Sequence, residues 1–237
     1  MPNEQDISEE KAWINQERAM VAVANLQKRN TNAQYVANRQ DALTAVMAMI
    51  PKEVTVACGD SITVEQVGIV HELRKRNQNK IIVPMERNID GGYMVKTSEE
   101  WLSMVRASFS AGVFLTGTNA VTLDGKLVNT DASGNRVAPM IFGPDKVIVV
   151  VGVNKLVKDV NAAFERIHGI AAPINAKRHA VKHHVEAYGN LPCARTGICA
   201  DCNSDSRICR YTVINEGNLG IRKNRINVVL VGEELGI

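Results

Sequence analysis

Four of the five cysteines lie between Cys193 and Cys209, spaced C-x5-C-x2-C-x6-C through Cys193, Cys199, Cys202 and Cys209. Thiolates are soft ligands, and four of them in so short a span can wrap a single metal centre. Cys199 and Cys202 supply the chelating pair. A zinc ribbon normally carries two such pairs, and only one is present here. Iron–sulfur clusters accept varied spacings around four cysteines, so a four-iron, four-sulfur (4Fe–4S) cluster fits at least as well, although the usual ferredoxin spacing is missed. Zinc stays open as an alternative, as do thiols left free or paired in disulfides. Arg195, Arg207 and Arg210 stand ready to offset the negative charge of a thiolate-bound cluster. Cys58 ends a β-branched run far from the others and is expected to be a free buried thiol.

A second group of residues suits anion binding. In Cys58-Gly59-Asp60-Ser61-Ile62-Thr63, Gly59 permits a sharp turn, while Ser61, Thr63 and neighbouring backbone N–H groups are able to hold a phosphate or carboxylate. The plainer role for Ser61 or Asp60 is to cap the following helix. Asn119 lies in the loop Thr116–Ala120. Asp131, Asn135 and Arg136 lie in the loop Asn129–Arg136, where the arginine could grip an anion bidentately. Asn, Asp, Ser and Gly also build ordinary turns. Lys155 places a cation just beyond another apolar run and could neutralise substrate charge. The expected ligand is a small anion: a carboxylate, a phosphate or an acyl-CoA. His179 and His183 are four residues apart and share a helical face, which suits a metal. No glutamate completes an H-E-x-x-H pattern, so a wet basic helix face beside Lys177 and Arg178 is expected.

These loops need elements to position them. From Ser8 to Arg29 the chain lacks Gly and Pro and reads as a helix. A second helix is expected from Val36 to Ile50, closed by Pro51. Two helices before any strand would make residues 1–50 a helical cap on an α/β domain at 51–237, which includes the cysteine-rich segment 191–210. Beyond Pro51, strands are expected at Val54–Cys58, Ile81–Val83, Gly112–Thr116, Lys146–Val151 and Ile226–Val231. Helices are expected at Val64–Arg76, Ser98–Phe109, Asp159–Ala171 and Ile174–Tyr188. Asp124-Gly125 marks a hairpin between Ala120–Leu123 and Leu127–Asn129. Alternating strands and helices imply a mostly parallel sheet flanked by helices. In such a sheet, ligands gather beyond the C-terminal strand ends, where all four polar loops should meet.

Composition narrows the function class. The 237 residues are 45% hydrophobic and 22% charged, ordinary values that disfavour wholesale disorder. Only 4% are aromatic and the net charge is +3, so neither base stacking nor attraction to a polyanion is supported, and no nucleic-acid partner is expected. The acidic, polar start does not resemble a secretory signal. The longest apolar runs fall far below the roughly 20 residues that span a bilayer. A cytoplasmic protein without a membrane span is expected, where clustered cysteines serve metal or redox chemistry.

The run TGTNAVTLDGKLVNTDASGNRVAPMIFGPDKVIVVVGVNKLV from Thr116, with ACGDSITVEQVG from Ala57, resembles the lactate-utilisation (LUD) domain family. The likeness extends over Val36–Ala176, with Ile226–Gly232 compatible with a closing strand. It implies the fold shared by ribose-phosphate isomerases, glucosamine-phosphate deaminases and coenzyme A transferases. It also implies a link to bacterial L-lactate oxidation through iron–sulfur proteins, and hence oxidoreductase chemistry with iron–sulfur redox subunits as partners. The tail CARTGICADCNSDSRICR is similar to a cysteine-rich extension carried by a subset of the family. No catalytic set comes with the resemblance. Two other functions stay open: a stand-alone sugar-phosphate isomerase or coenzyme A transferase-like enzyme, and a non-catalytic ligand-binding subunit with structural zinc. The helical N-terminal segment is a candidate homodimer interface.

Overall fold

The computed structural model describes residues 4–237, so the first three residues of the expected cap lie outside it. Helix α1, Ser8–Lys28, starts on Glu9 and Glu10 and ends on Lys28, charges that complement its dipole. It buries Ala19, Ala22, Val23 and Leu26, a stripe at helical spacing, and leaves Met20 and Val21 exposed.

The expected second helix is corrected at its start. Asn32–Val36 forms strand β1, and α2 runs only over Arg39–Met49, capped by the Asn38 side chain accepting from the Asp41 N–H. An N-terminal helix is therefore present, but a strand separates it from the next one and ties the segment into the main sheet. Strand β1 carries Asn32 and Gln34 and lies at a sheet edge, where one flank has no neighbouring strand to demand apolar residues.

Strand β2 is Val56–Cys58, and two short helices follow, α3 at Ile62–Val67 and α4 at Ile69–Arg76. They replace the single expected helix because Gly68 adopts a left-handed φ of 80°, which breaks the run. Then come β3 at Ile81–Ile82, α5 at Ser98–Ser108, β4 at Val113–Thr116, and the hairpin of β5, Ala120–Thr122, with β6, Leu127–Asp131. Short α6, Val137–Ile141, leads to β7, Lys146–Gly152, and to β8, Leu156–Val157. Helix α7, Val160–Arg166, continues through a π turn at Ile167–Ala171 into α8, Ala172–Lys182. Two single-turn helices, α9 at Glu186–Gly189 and α10 at Pro192–Thr196, precede β9, Tyr211–Asn215, and β10, Ile226–Val231.

The main sheet has the order β1-β10-β7-β4-β2-β3, with every pairing parallel. Both faces of β7 are covered. Val147, Val149 and Val151 join the α1 side, while Ile148 and Val150 join the side of α2, α3 and α4. Full burial of each such side chain contributes roughly 1.5–3 kcal/mol, so the β-branched runs secure the sheet. The fold is α/β, as expected.

A second sheet, β8-β5-β6-β9, is mostly antiparallel and stands beside the first. Gly125 turns its hairpin at φ 85°, and a Cβ there would lie 2.5 Å from the Asn25 carbonyl carbon of α1. Only glycine allows that approach. Strand β9 was not legible in sequence, because most of its side chains face solvent.

Candidate functional site

Parallel pairing sends the chain out of β2, β4 and β7 at the same sheet edge. A cavity of about 590 Å³ opens there, and Ser61, Thr63, Asn119, Asp131, Asn135, Arg136 and Lys155 all line it. Gly59 sits behind them on a neighbouring cavity of about 470 Å³. An added Cβ on Gly59 would lie 3.4 Å from the Phe114 ring and 3.8 Å from Arg136 Cγ, ordinary packing distances. Ser61 does act as a cap, its Oγ accepting from the Val64 N–H at 3.3 Å.

Arg136 is held by protein groups. Its Nε donates to Asp131 Oδ1 at 2.9 Å, and its backbone N–H donates to Asp131 Oδ2 at 2.9 Å. Nη2 donates to Asn119 Oδ1 at 2.7 Å and to the Thr130 carbonyl at 2.8 Å. The Asn119 side chain in turn accepts from the Thr130 N–H at 2.8 Å. Asp131 and Arg136 thus neutralise each other and brace one wall of the cleft, in place of the bidentate anion clamp expected of Arg136.

Lys155 is different. Only 5% exposed, it donates from Nζ to Thr63 Oγ1 at 3.1 Å. Arg166, close enough for its charge to act on Lys155, donates to the carbonyls of Asn119 and Asn154 at 2.7 and 3.1 Å. Among the described residues neither cation has a carboxylate within ion-pair distance. Burial first, then the charges of Arg166 and Arg136, push the Lys155 pKa down to about 7. Gly236 packs over this pair, and a Cβ on it would fall 2.8 Å from Lys155 Nζ.

The opposite wall joins Asp60 and His179, read in sequence as a cap and a wet-face residue, to Arg87 and Tyr93, which sequence reasoning missed. Asp60 accepts from Arg87 Nη2 at 2.7 Å and from Arg178 Nη2 at 2.8 Å, and His179 Nε2 lies 3.4 Å from Asp60 Oδ2. The other ring nitrogen of His179 is 2.8 Å from the Tyr93 hydroxyl. Burial would raise the Asp60 pKa, but the His179 hydrogen bond and the two guanidinium charges outweigh it and hold the carboxyl well below the usual range. Burial raises the Tyr93 phenol against the opposing charge of Arg87. Asp60, Tyr93, Arg178 and His179 all line the same cavity.

The expected wet face is therefore corrected at His179, which is 5% exposed. Helix α8 lies across the cleft, with Asn175, Arg178 and His179 facing in, a burial that arises from tertiary packing. His183 turns away, its Nδ1 3.0 Å from the Gly91 carbonyl. Because a carbonyl only accepts, Nδ1 carries the proton.

The cysteine segment borders this cleft. Cys193, Cys199, Cys202 and Cys209 are free and partly buried. Burial raises the Cys193 pKa, and the charges of Cys202, Cys209 and Cys199 add to the effect. Arg207 threads the loop, donating to the carbonyls of Cys202 at 2.6 Å and Cys209 at 2.9 Å. Among the described residues no three His, Cys, Asp or Glu side chains adopt a metal-holding arrangement. The donor set itself, four thiols beside a guanidinium, has the chemistry an iron–sulfur cluster requires. Cys209 reaches the cavity wall, and the Arg210 N–H donates to the Asp131 carbonyl at 2.9 Å. Cys58 is a free buried thiol, as expected, and burial pushes its pKa up to about 12.

The LUD domain model matches residues 19–231. The chain belongs to the LUD-domain family. The match starts inside α1 and continues through β1 to β10, so it crosses the boundary expected at residue 50. Among solved structures, this LUD domain is similar to a DUF162 family protein from Deinococcus radiodurans, with a TM-score of 0.50 and 13% identity. That alignment covers 92% of this chain and 97% of the other, a likeness of fold. No curated protein matches the chain. Among the described residues of the LUD domain, no helix is long and apolar enough to cross a membrane.

Proposed function

We propose that this LUD domain is a lactate-utilisation-type protein that binds a small carboxylate in the strand-end cleft and works with iron–sulfur redox subunits in L-lactate oxidation. The observation that carries the reading is the buried charge of Arg166 beside the buried amine of Lys155, two basic groups with no carboxylate partner among the described residues. Inside a low-dielectric cleft such an excess favours an anion strongly. The cavity, about 590 Å³, has ample room for a small acid.

The test is thermal. A ligand that binds only the folded state raises the melting temperature. L-lactate is expected to raise it, and a rise produced only by sugar phosphates or acyl-CoA would replace this reading with the isomerase or transferase alternative.

The same proposal assigns Cys193, Cys199, Cys202 and Cys209 as ligands of a 4Fe–4S cluster, whose chemistry is electron transfer. Arg207, hydrogen-bonded to two of these residues, would hold the loop and offset the charge. Protein purified without oxygen should show a broad visible charge-transfer band and about four irons per chain. A colourless protein with one zinc would favour the structural-metal alternative. A homodimer through the outer face of α1, where Trp13, Met20 and Val21 are exposed, belongs to the proposal and is tested by native mass.

A further inference from the structure

Charge neutralisation leaves the most distinctive property of Lys155 unused. Its amine lines the cavity, yet it has no carboxylate among the described residues to hold it as an ammonium ion. The hydrogen-bond acceptor it does have, Thr63 Oγ1, fixes one N–H and leaves the nitrogen lone pair available. Gly236 closes over the pair without a side chain, keeping the amine out of bulk water. Arg166 beneath it supplies fixed positive charge that disfavours a second cation and draws a carboxylate.

We propose that Lys155 is a carbonyl-capturing nucleophile, which condenses through its amine with the oxo group of a small 2-oxo acid to form a Schiff base. The inference rests on the anion cleft described above and deepens it by naming the substrate class.

In the condensation, the nitrogen lone pair attacks the carbonyl carbon and the carbonyl π pair moves onto oxygen. The two amine protons leave with that oxygen as water, and a C=N bond remains. No oxidant or reductant enters. Proton movement needs a donor and an acceptor inside the cavity, and the opposite wall offers both. The Tyr93 hydroxyl, 2.8 Å from His179 Nδ1, is a donor, and the Asp60 carboxylate, kept ionised by its guanidinium partners, is an acceptor. A pKa near 7 keeps a large fraction of Lys155 in the nucleophilic, uncharged form at neutral pH.

Wild-type protein should be incubated with pyruvate or glyoxylate, reduced with sodium borohydride, and analysed by intact mass and peptide mapping. One reduced adduct per chain, confined to Lys155 and absent from Lys155→Arg, is expected. Its rate of formation should rise with pH and level off above about 7, where the amine is uncharged. No adduct, or adducts scattered over surface lysines, overturns the proposal. The map on wild-type protein decides this even if Lys155→Arg does not fold. L-lactate has no ketone or aldehyde group and cannot condense, so its effect on melting temperature reads the cleft alone. Stabilisation by lactate without a pyruvate adduct overturns carbonyl capture and leaves the cleft standing. Neither stabilisation nor adduct overturns both.

Discussion

The two walls of the cleft bury ionisable groups to similar depth and treat them in opposite ways. On one, the Asp60 carboxylate meets Arg87, Arg178 and His179, and its charge is answered on both oxygens. On the other, Lys155 meets a hydroxyl and sits near two guanidinium groups. Burial opposes the charged form at both positions, but only Asp60 has partners strong enough to reverse the outcome. Depth in the protein therefore does not by itself fix a group's chemistry. A compensated charge braces structure, whereas an uncompensated one is available to a ligand.

The harshest way to break this contrast is Asp60→Ala, which takes the carboxylate from Arg178 and leaves Arg87 only the exposed Glu65 at 3.3 Å. Removing one partner of a buried ion pair costs about 3–5 kcal/mol, so chemical denaturation should show a loss of that size.

Lys155→Met should act in the other direction. The folded pKa lies near 7 and the ordinary value is 10.5, so between them the unfolded chain binds more protons than the folded one. Wild-type stability must then rise with pH from about 7 to 10.5 and be lowest below 7. At about 1.4 kcal/mol per pKa unit, the methionine variant should be more stable on the order of 5 kcal/mol below pH 7. That advantage should fade towards pH 10.5, a trend that melting curves across pH would reveal. A pH-independent difference would put the lysine's effect down to packing alone.

Gly236→Ala sharpens the comparison more gently. Its φ of 67° already disfavours a side chain, and the new Cβ would press on Lys155 and Thr63. A loss of about 1–3 kcal/mol is expected in urea unfolding, and lactate should stabilise this variant less than wild type. Cys202→Ala should change stability least of the four, because its thiol is only partly buried, yet it should abolish the visible band of anaerobically purified protein.

Much of this molecule was legible where one physical demand dominated the local sequence. Val147–Val151 had to be a covered strand, and Asp124-Gly125 had to turn a hairpin. The cleft followed, because parallel strands send their polar loops to one edge and those loops held Ser61, Thr63, Asn119, Asp131 and Lys155. Strands β1 and β9 escaped notice because an edge or a solvent-facing flank removes the apolar pattern that marks a strand. The Tyr93–His179–Asp60 wall escaped for another reason. Tyr93 lies in an irregular stretch, and the burial of His179 is decided by where α8 lands, which no local period encodes. Arg136 was visible as a cation, but its pairing with Asp131 was not.

Strand β9 is held to β6 in a fixed register, with Tyr211 opposite Asp131. Only Arg210 separates that first rung from Cys209, which stands at the rim of the cavity. Side chains alternate along a strand, so one residue inserted between Cys209 and Tyr211 would turn the thiol away or shift the ladder. The loop between Cys199 and Cys209 carries no such rung and is tied instead by side chains, Arg207 to the Cys202 and Cys209 carbonyls and Arg210 to those of Ser204 and Asp205. The segment is thus tied by side chains on one side and indexed by a strand on the other, and a graft or redesign of it has to start from its last cysteine.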